Sequence, residues 1–346
     1  VKILFYTIIA FALLVLSSTS SFAQGCAAPK SDEGVNVFGF LQPQIETKFL
    51  KDGVENSFTF NRARIGVMGN IPYDVMYYAV IEASSFKNDN PFLLDAFVSY
   101  QRFSFAKISV GQFKSPFTLE MSTACNDLNT IYRTSAINNL VSPDRDLGIM
   151  LSGSIKDNFL SYSVALTNGT GIGGYDNNQG KTVHSRLVIA PFGFIKLGGG
   201  VQYGTHPSIV EDATEEDSRF RWAADVQLKL KNFDLIGEYI SSSDKGSYSV
   251  GGGCGGEVTI LEGDLKRSGY YVTAMYRTPW NLQPIFRYEN WNTDVNIMNR
   301  VEHTMVLGLN YWLNDWSRIQ VNYLYKAEEK LEVMNDEFLI QFQVTF

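Results

Sequence analysis

The chain has 346 residues, 14% of them aromatic, with 29 glycines, 10 prolines and a formal net charge of −7. The acidic balance argues against a nucleic-acid partner, and no stretch reaches the roughly 20 consecutive apolar residues that a membrane helix needs. Three cysteines, Cys26, Cys125 and Cys254, are too few and too scattered for a disulfide framework or a zinc centre, and no cofactor motif survives inspection.

The amino-terminal stretch has the make-up of an export signal. Lys2 precedes the apolar run Ile3 to Leu16, and "SSTSSFAQ" then offers Ser21 and Ala23 as the small residues of a cleavage site. Residues 1–23 are therefore expected to be a cleaved signal peptide, followed by a short periplasmic segment over 24–34. Cys26 follows "AQG", but Ala23 stands where a lipidation signal usually has Leu, so lipidation is not expected. Cys125 and Cys254 read as small unpaired residues.

From residue 35 onward, about sixteen segments alternate apolar and polar residues with the period of two that marks a strand with unlike faces. Their spans are 35–50, 58–70, 75–86, 93–103, 106–113, 147–155, 159–169, 183–190, 194–206, 219–231, 233–244, 268–279, 281–293, 300–313, 317–327 and 338–346. In the strand at 159–169, Leu160, Tyr162, Val164 and Leu166 oppose Ser161, Ser163, Ala165 and Thr167. At 317–327, Ile319, Val321, Tyr323 and Tyr325 oppose Arg318, Gln320, Asn322 and Lys326.

A soluble sandwich would alternate in the same way, so the connections carry the decision. Every second link is tight: "IPYD" at 71–74, "KDN" at 156–158, "PFG" at 191–193, Asn232, "PWN" at 279–281 and "NDW" at 314–316. The others, at 51–57, 114–146, 170–182, 207–218, 245–267 and 328–337, are mostly long. Short turns on one rim and long loops on the other are the layout of a transmembrane β-barrel, and an even strand count puts both ends of 35–346 on the short-turn rim. Tyr77, Tyr270, Tyr276, Trp280, Trp312 and Trp316 crowd strand ends as an interfacial girdle would. The expected fold is an all-β, antiparallel transmembrane barrel of about sixteen strands, surrounded by outer-membrane lipid and lipopolysaccharide. Its last strand, Phe338 to Phe346, places Phe338, Ile340, Phe342, Val344 and Phe346 on one face. That strand resembles the signal by which the outer-membrane assembly machinery of Gram-negative bacteria takes up barrels.

The stretch 106–153, "AKISVGQFKSPFTLEMSTACNDLNTIYRTSAINNLVSPDRDLGIMLSG", stands out together with "FNRARIGVMGNI" at 60–71 and "LLDAFVSY" at 93–100. Arg62 and Arg64, the run Gly111-Gln112-Phe113-Lys114 with Pro116, Phe117 and Glu120, and then Arg133, Pro143, Arg145 and Gly148 resemble the phosphate-selective porin O/P family. The resemblance is strong over 58–155. It implies a sixteen-stranded, trimeric outer-membrane channel whose third long loop folds inward to narrow the lumen. The chain departs from the family pattern in its fifth loop, where "PSIVEDATEEDS" is acidic rather than basic, and at Tyr132, where an acid is expected. From the residues alone, Leu128, Ile131 and Tyr132 suggest a helical turn inside 114–146, and a loop of that length usually has a function.

Strand parity sends Lys48, Arg62, Arg64, Lys107, Arg186, Lys196, Arg219, Arg221, Lys229, Arg277, Arg287, Arg318 and Lys326 inward. Inward acids are Glu46, Glu82, Asp95, Asp225, Asp234, Glu238, Glu289 and Glu302. Cations outnumber acids on this face although the chain is acidic overall, and a basic lumen favours anions. The expected function is a water-filled channel for passive diffusion of small solutes with an anion preference, extending to phosphate-like oxyanions. Lys114, Arg133 and Arg145 of the loop are the expected constriction residues, facing a wall that includes Arg62, Arg64, Arg186, Arg219, Arg221 and Arg287; an arginine fork holds an oxyanion with two hydrogen bonds. The opposing reading is that these arginines pair with acids and stiffen the wall; for Arg145, between Asp144 and Asp146, that reading is the stronger.

Two motifs are set aside. Gly169-x-Gly171-x-x-Gly174 spells a dinucleotide fingerprint and "GKT" follows at 180–182, but the next segment is a strand and no helix opens there. "GGGCGGE" at 251–257 reads as a flexible external loop. A barrel hydrolase is disfavoured because His184, His206 and His303 lie outside any nucleophile motif. A plugged adhesin-like barrel shares every strand feature and is separated from a pore only by conductance.

Overall fold

The computed structural model describes residues 35–346 apart from 73, 85–90, 142, 157–158, 177, 207–216, 252–257 and 330–332. The expectations for the signal peptide, for segment 24–34 with Cys26, for most of the acidic link 207–218 and for nearly all of the glycine run with Cys254 fall outside the described residues.

The alternating segments become sixteen strands. The first eight are β1 (Asn36–Leu50), β2 (Gly53–Ile71), β3 (Val75–Glu82), β4 (Phe92–Phe103), β5 (Ala106–Lys114), β6 (Arg145–Ile155), β7 (Leu160–Thr167) and β8 (Thr182–Phe192). The second eight are β9 (Ile195–His206), β10 (Asp217–Leu230), β11 (Phe233–Gly251), β12 (Val258–Tyr276), β13 (Leu282–Asn292), β14 (Val301–Asn314), β15 (Ser317–Glu328) and β16 (Glu337–Thr345). Each pairs antiparallel with its chain neighbours, and β16 pairs with β1 in the register Phe40 with Thr345 and Lys48 with Glu337, closing the barrel. Closure pairs the backbone N–H and C=O groups that an open sheet leaves at its two edges.

The two faces are those that the alternation anticipates. On β14, Met305, Leu307 and Leu309 are 41%, 60% and 40% exposed, whereas Val306 and Asn310, of the opposite parity, are fully covered. The same apolar outward face continues through Val98, Val110, Ile149, Leu166, Leu187, Val201 and Phe220 around the barrel. A soluble protein rarely leaves so continuous an apolar surface open to water. Trp312 corrects the expected girdle: it shares the inward parity of Asn310, and the Arg277 guanidinium lies 5.1 Å from its ring centroid.

The tight turns place a non-glycine residue in the left-handed region, at Asp74, Lys156, Lys231 and Asn281, as short hairpin connections require. Two long links prove shorter than expected. Between β1 and β2 only Lys51 and Asp52 remain outside the strands, with Gly53 at φ 146° and Phe49 opposite Val54. Asp-Gly is a hairpin signal, and the polar residues taken for a loop at 51–57 are a strand extension. Likewise β11 and β12 keep pairing as far as Gly251 with Val258, so the link at 245–267 is largely a hairpin.

A bulge in the β1–β2 ladder, where Gln42 pairs with Arg62 and Pro43 with Phe60, makes Asn61 the extra residue of β2. An extra residue in one strand turns neighbouring side chains the same way; Asn61 and Arg62 are both buried.

Candidate functional site

Residues 115–144, between β5 and β6, contain two short helices, α1 (Leu119–Ser122) and α2 (Ser135–Leu140). Thr118 caps α1, its hydroxyl accepting from the Met121 N–H at 3.2 Å. The helical turn expected over 128–132 is absent. Ile131 and Tyr132 spend their polar groups on the barrel wall instead. The Ile131 N–H donates to Asn322 at 2.8 Å and the Tyr132 hydroxyl accepts from Gln44 at 2.7 Å.

Three kinds of contact tie this segment to the wall. The first is a run of side-chain amides. Asn61 donates to Gln341, Gln341 to Gln320, Gln320 to Asn310 and Asn310 to Gln283, at 2.8–3.1 Å, across β2, β16, β15, β14 and β13. Its members and their neighbours also donate to loop carbonyls: Gln343 and Arg318 to Asn126, Asn310 to Asn129 and Asn61 to Ile131. Extended chain has no internal partners for its carbonyls, and buried carbonyls demand some, which is what the wall provides.

The second kind is ionic. The Glu238 carboxylate of β11 accepts from the N–H groups of Leu119 at 2.5 Å and Glu120 at 3.0 Å and from the Tyr271 hydroxyl at 3.0 Å. Glu289 of β13 accepts from the Ser135 N–H at 2.9 Å. Between them, Arg287 pairs with Glu120 at 3.3 Å and Glu289 at 2.5 Å, and donates to the Tyr132 carbonyl at 3.0 Å and to the Thr130 hydroxyl. Glu120 also accepts from the N–H and hydroxyl of Thr134, both at 2.9 Å. Burial pushes the Glu120 carboxyl up; Arg287 and the Thr134 N–H pull against it.

The third kind is apolar. Phe117, Met121, Ile137, Leu140 and Val141 bury against inward residues Ala223, Ile240, Tyr271 and Trp291, while Ile131 packs on Val306, Leu324 and Leu339. These inward apolar residues were missed in the sequence, where the lumen face was read as polar; their signal was an apolar residue on the wrong parity.

The expected site residues fall into two groups. Arg62, Arg64, Lys114 and Arg133 converge on Cys125, a buried free thiol. Arg64 Nη1 lies 3.0 Å and Arg133 Nη2 3.4 Å from its Sγ. Lys114 Nζ and Arg133 Nη2 both donate to the Thr123 carbonyl at 3.1 Å, and Arg62 donates to Gln42 at 2.9 Å. Among the described residues only Arg64 of these four has an ion pair, with Glu82 at 2.8 Å. The other five are placed among wall and loop acids, although Arg145 lines one cavity with Cys125. Arg145 pairs with Asp95 at 3.0 Å and Asp144 at 2.9 Å, Arg186 with Asp225 at 2.8 Å, Arg221 with Asp244 at 3.2 Å, and Arg287 as above. Arg219 sits on the inward face of β10, in register with Asp244.

Cys125 is more than the small unpaired residue expected. Burial pushes its thiol up, but Arg62, Arg64, Arg133 and Lys114 outweigh this and hold it well below the usual thiol range. A thiolate at this position cancels one positive charge of the cluster, and the cancellation is lost as pH falls through its lowered pKa. Cys125→Ser is expected to raise the net charge of the cluster by about one unit and to shift the zero-current potential of the reconstituted protein in a salt gradient towards greater anion preference. An unchanged potential at pH 7 would mean that the thiol is neutral there.

The glycine motif has an internal occupant. The N–H groups of Gly169 and Gly171, both at positive φ, donate to the fully buried carboxylate of Asp146. The nest of backbone donors that could hold a phosphate holds β6 to the loop between β7 and β8. His184 lies 3.2 Å from the Thr167 hydroxyl and His303 2.7 Å from the Tyr288 hydroxyl.

A closed barrel with an apolar outside, a hydrogen-bonding inside and a loop anchored to the inner wall defines an outer-membrane channel protein. A family model for phosphate-selective porin O and P matches residues 44–220, just over half of the sequence, and the chain belongs to that family. It is a porin, providing a channel for solute diffusion in the outer membrane. Solved structures share its fold. An anion-selective porin from Comamonas acidovorans is 12% identical with a TM-score of 0.68, the match covering 91% of this chain and 100% of that one. The outer membrane channel DcaP of Acinetobacter baumannii is 14% identical with a TM-score of 0.66, over 92% and 99%. The trimer form of OmpT, an outer membrane protein of Vibrio cholerae, is 12% identical with a TM-score of 0.65, over 91% and 99%. Among curated proteins no sequence matches.

Proposed function

We propose that this porin prefers small anions, and that residues 115–144 cross the lumen and form its narrowest part. The observation that carries the reading is the imbalance around Cys125: Arg62, Lys114 and Arg133 lack a carboxylate partner within 4.0 Å among the described residues. Positive potential that is not cancelled locally concentrates anions at a narrow passage and lowers their entry barrier. The paired arginines Arg145, Arg186, Arg221 and Arg287 hold the loop and wall instead. Contacts of the loop with inward side chains from β1, β2, β8 and β10 through to β16 support its course across the lumen.

The anion-selective porin among the structural relatives is consistent with the preference, and the trimeric relative with a homotrimer. Residues 1–23 direct export, the outward apolar face meets outer-membrane lipid and lipopolysaccharide, and strand Phe338 to Phe346 is offered to the barrel assembly machinery. The protein acts without catalysis. The link at 207–218 is acidic in sequence, which works against a multiply charged anion such as phosphate. The decisive measurement is the zero-current potential across a planar bilayer under a potassium chloride gradient, followed by titration of phosphate as a blocker. The anion sign is expected; the cation sign would refute the reading, and the absence of any steady current would favour a plugged barrel.

A further inference from the structure

The lumen wall beside the cation cluster is aromatic, which a polar channel interior does not need. Phe38 and Phe40 of β1, Tyr78 of β3 and Phe97 of β4 line a cavity of about 310 Å³ together with Arg64 and Lys114, within the size range of small-molecule sites. The rings form a continuous row. Phe38 and Tyr78 have centroids 5.2 Å apart, and Tyr78 and Phe97, directly opposite in the β3–β4 ladder, are stacked at 5.1 Å with 25° between planes.

The intervening wall is cut away to admit them. Gly66 of β2 faces Phe38 across the ladder, and a Cβ there would come within 2.7 Å of the Phe38 ring and 2.8 Å of the Ala79 carbonyl. Gly111 of β5, opposite Phe97, has φ +137° and a Cβ there would collide with backbone. The rings are half-buried, not sealed into a core, so part of each faces the cavity. At the end of the row the Arg64 guanidinium sits 5.6 Å from the Phe40 centroid, a cation–π spacing that fixes the charge beside the apolar strip.

We infer that the preferred solute is an organic anion with a flat apolar ring, an aromatic carboxylate in chemical class. Its carboxylate lies between Arg64 and Lys114, and its ring lies against Phe38, Phe40 and Tyr78. The inference rests on the anion preference proposed above and adds the apolar half of the solute. A small inorganic anion gains nothing from the ring row; a benzoate-like solute covers apolar surface and stacks at offset geometry.

The test uses the purified full-length protein in planar bilayers at neutral pH, with benzoate and acetate titrated as blockers of the chloride current. Benzoate is expected to reach half-block at about a tenfold lower concentration than acetate. In Phe38→Leu and Tyr78→Leu the two anions should differ by no more than about threefold, with acetate unchanged. Phe38→Leu keeps an aliphatic group over Gly66 and carries the test alone if Tyr78→Leu does not assemble. Equal block by benzoate and acetate in the unmodified protein, with the zero-current potential still anionic, overturns the aromatic track and leaves the anion preference standing. A cationic potential overturns both.

Discussion

Arg287→Ala is expected to loosen the loop and destabilise the barrel together. Arg287 is 2% exposed and neutralises two carboxylates, Glu120 of the loop and Glu289 of the wall, while donating to Tyr132 and Thr130. Removing one partner of a buried ionic group leaves uncompensated charge and costs roughly 3–5 kcal/mol. Here both remaining groups are acids, and both also hold backbone N–H groups, at Thr134 and Ser135. Glu120, already pushed up by burial, loses the cation that opposes the push and takes up a proton more readily. The folded band in a gel-shift heating series should therefore vanish several degrees lower. Single-channel recordings should show larger and noisier conductance. Arg287→Lys should recover only part of this, because an ammonium cannot bridge two carboxylates as a planar fork does. Unchanged conductance and stability in Arg287→Ala would mean that the loop is held without this node.

The second large effect concerns charge. Lys114→Gln combined with Arg133→Gln removes two cations that have no ion pair among the described residues, so no carboxylate is orphaned. In a Cys125→Ser background the thiol cannot offset the loss by taking up a proton. Two unit charges about 5 Å from a passing ion in water-like surroundings amount to roughly 1.6 kcal/mol. Anion permeability should fall by about tenfold. The pair Arg186→Gln with Asp225→Asn, which removes a salt bridge of 2.8 Å and leaves net charge unchanged, should alter it far less. If both double variants shift selectivity equally, the cluster around Cys125 has no special role.

Much of the barrel was legible because a strand with lipid on one side and water on the other must alternate at every step, and that pattern is local. The errors share a cause in distance along the chain. At 51–57, composition suggested a loop, whereas Asp52-Gly53 was a sharper local signal for a tight hairpin. Trp312 was assigned to the girdle by its position near a strand end, though its parity with Asn310 pointed inward. Within 114–146, the length of the loop and the cations Lys114 and Arg133 are plain in the sequence. The sequence could not show that Leu128 and Ile131 are buried by wall contacts rather than by a helix face. Nor could it show that Cys125 would sit among four cations drawn from β2, β5 and the loop, since those partners lie up to 63 residues away in the chain, at Arg62. The inward apolar patch formed by Ala223, Ile240, Tyr271 and Trp291 was visible only as a breach of parity, and it makes sense once Ile137 and Leu140 are seen to cover it.

The asparagine and glutamine ladder from Asn61 to Gln283 uses groups that neither ionise nor attract counterions. Fastening of the loop along that side is thus indifferent to acidity and to the salt content of the surroundings, conditions that bear directly on the guanidinium and carboxylate contacts elsewhere. Attachment and charge are in this way chemically separable: cations of the loop and wall can be exchanged one at a time without unfastening this side of the segment.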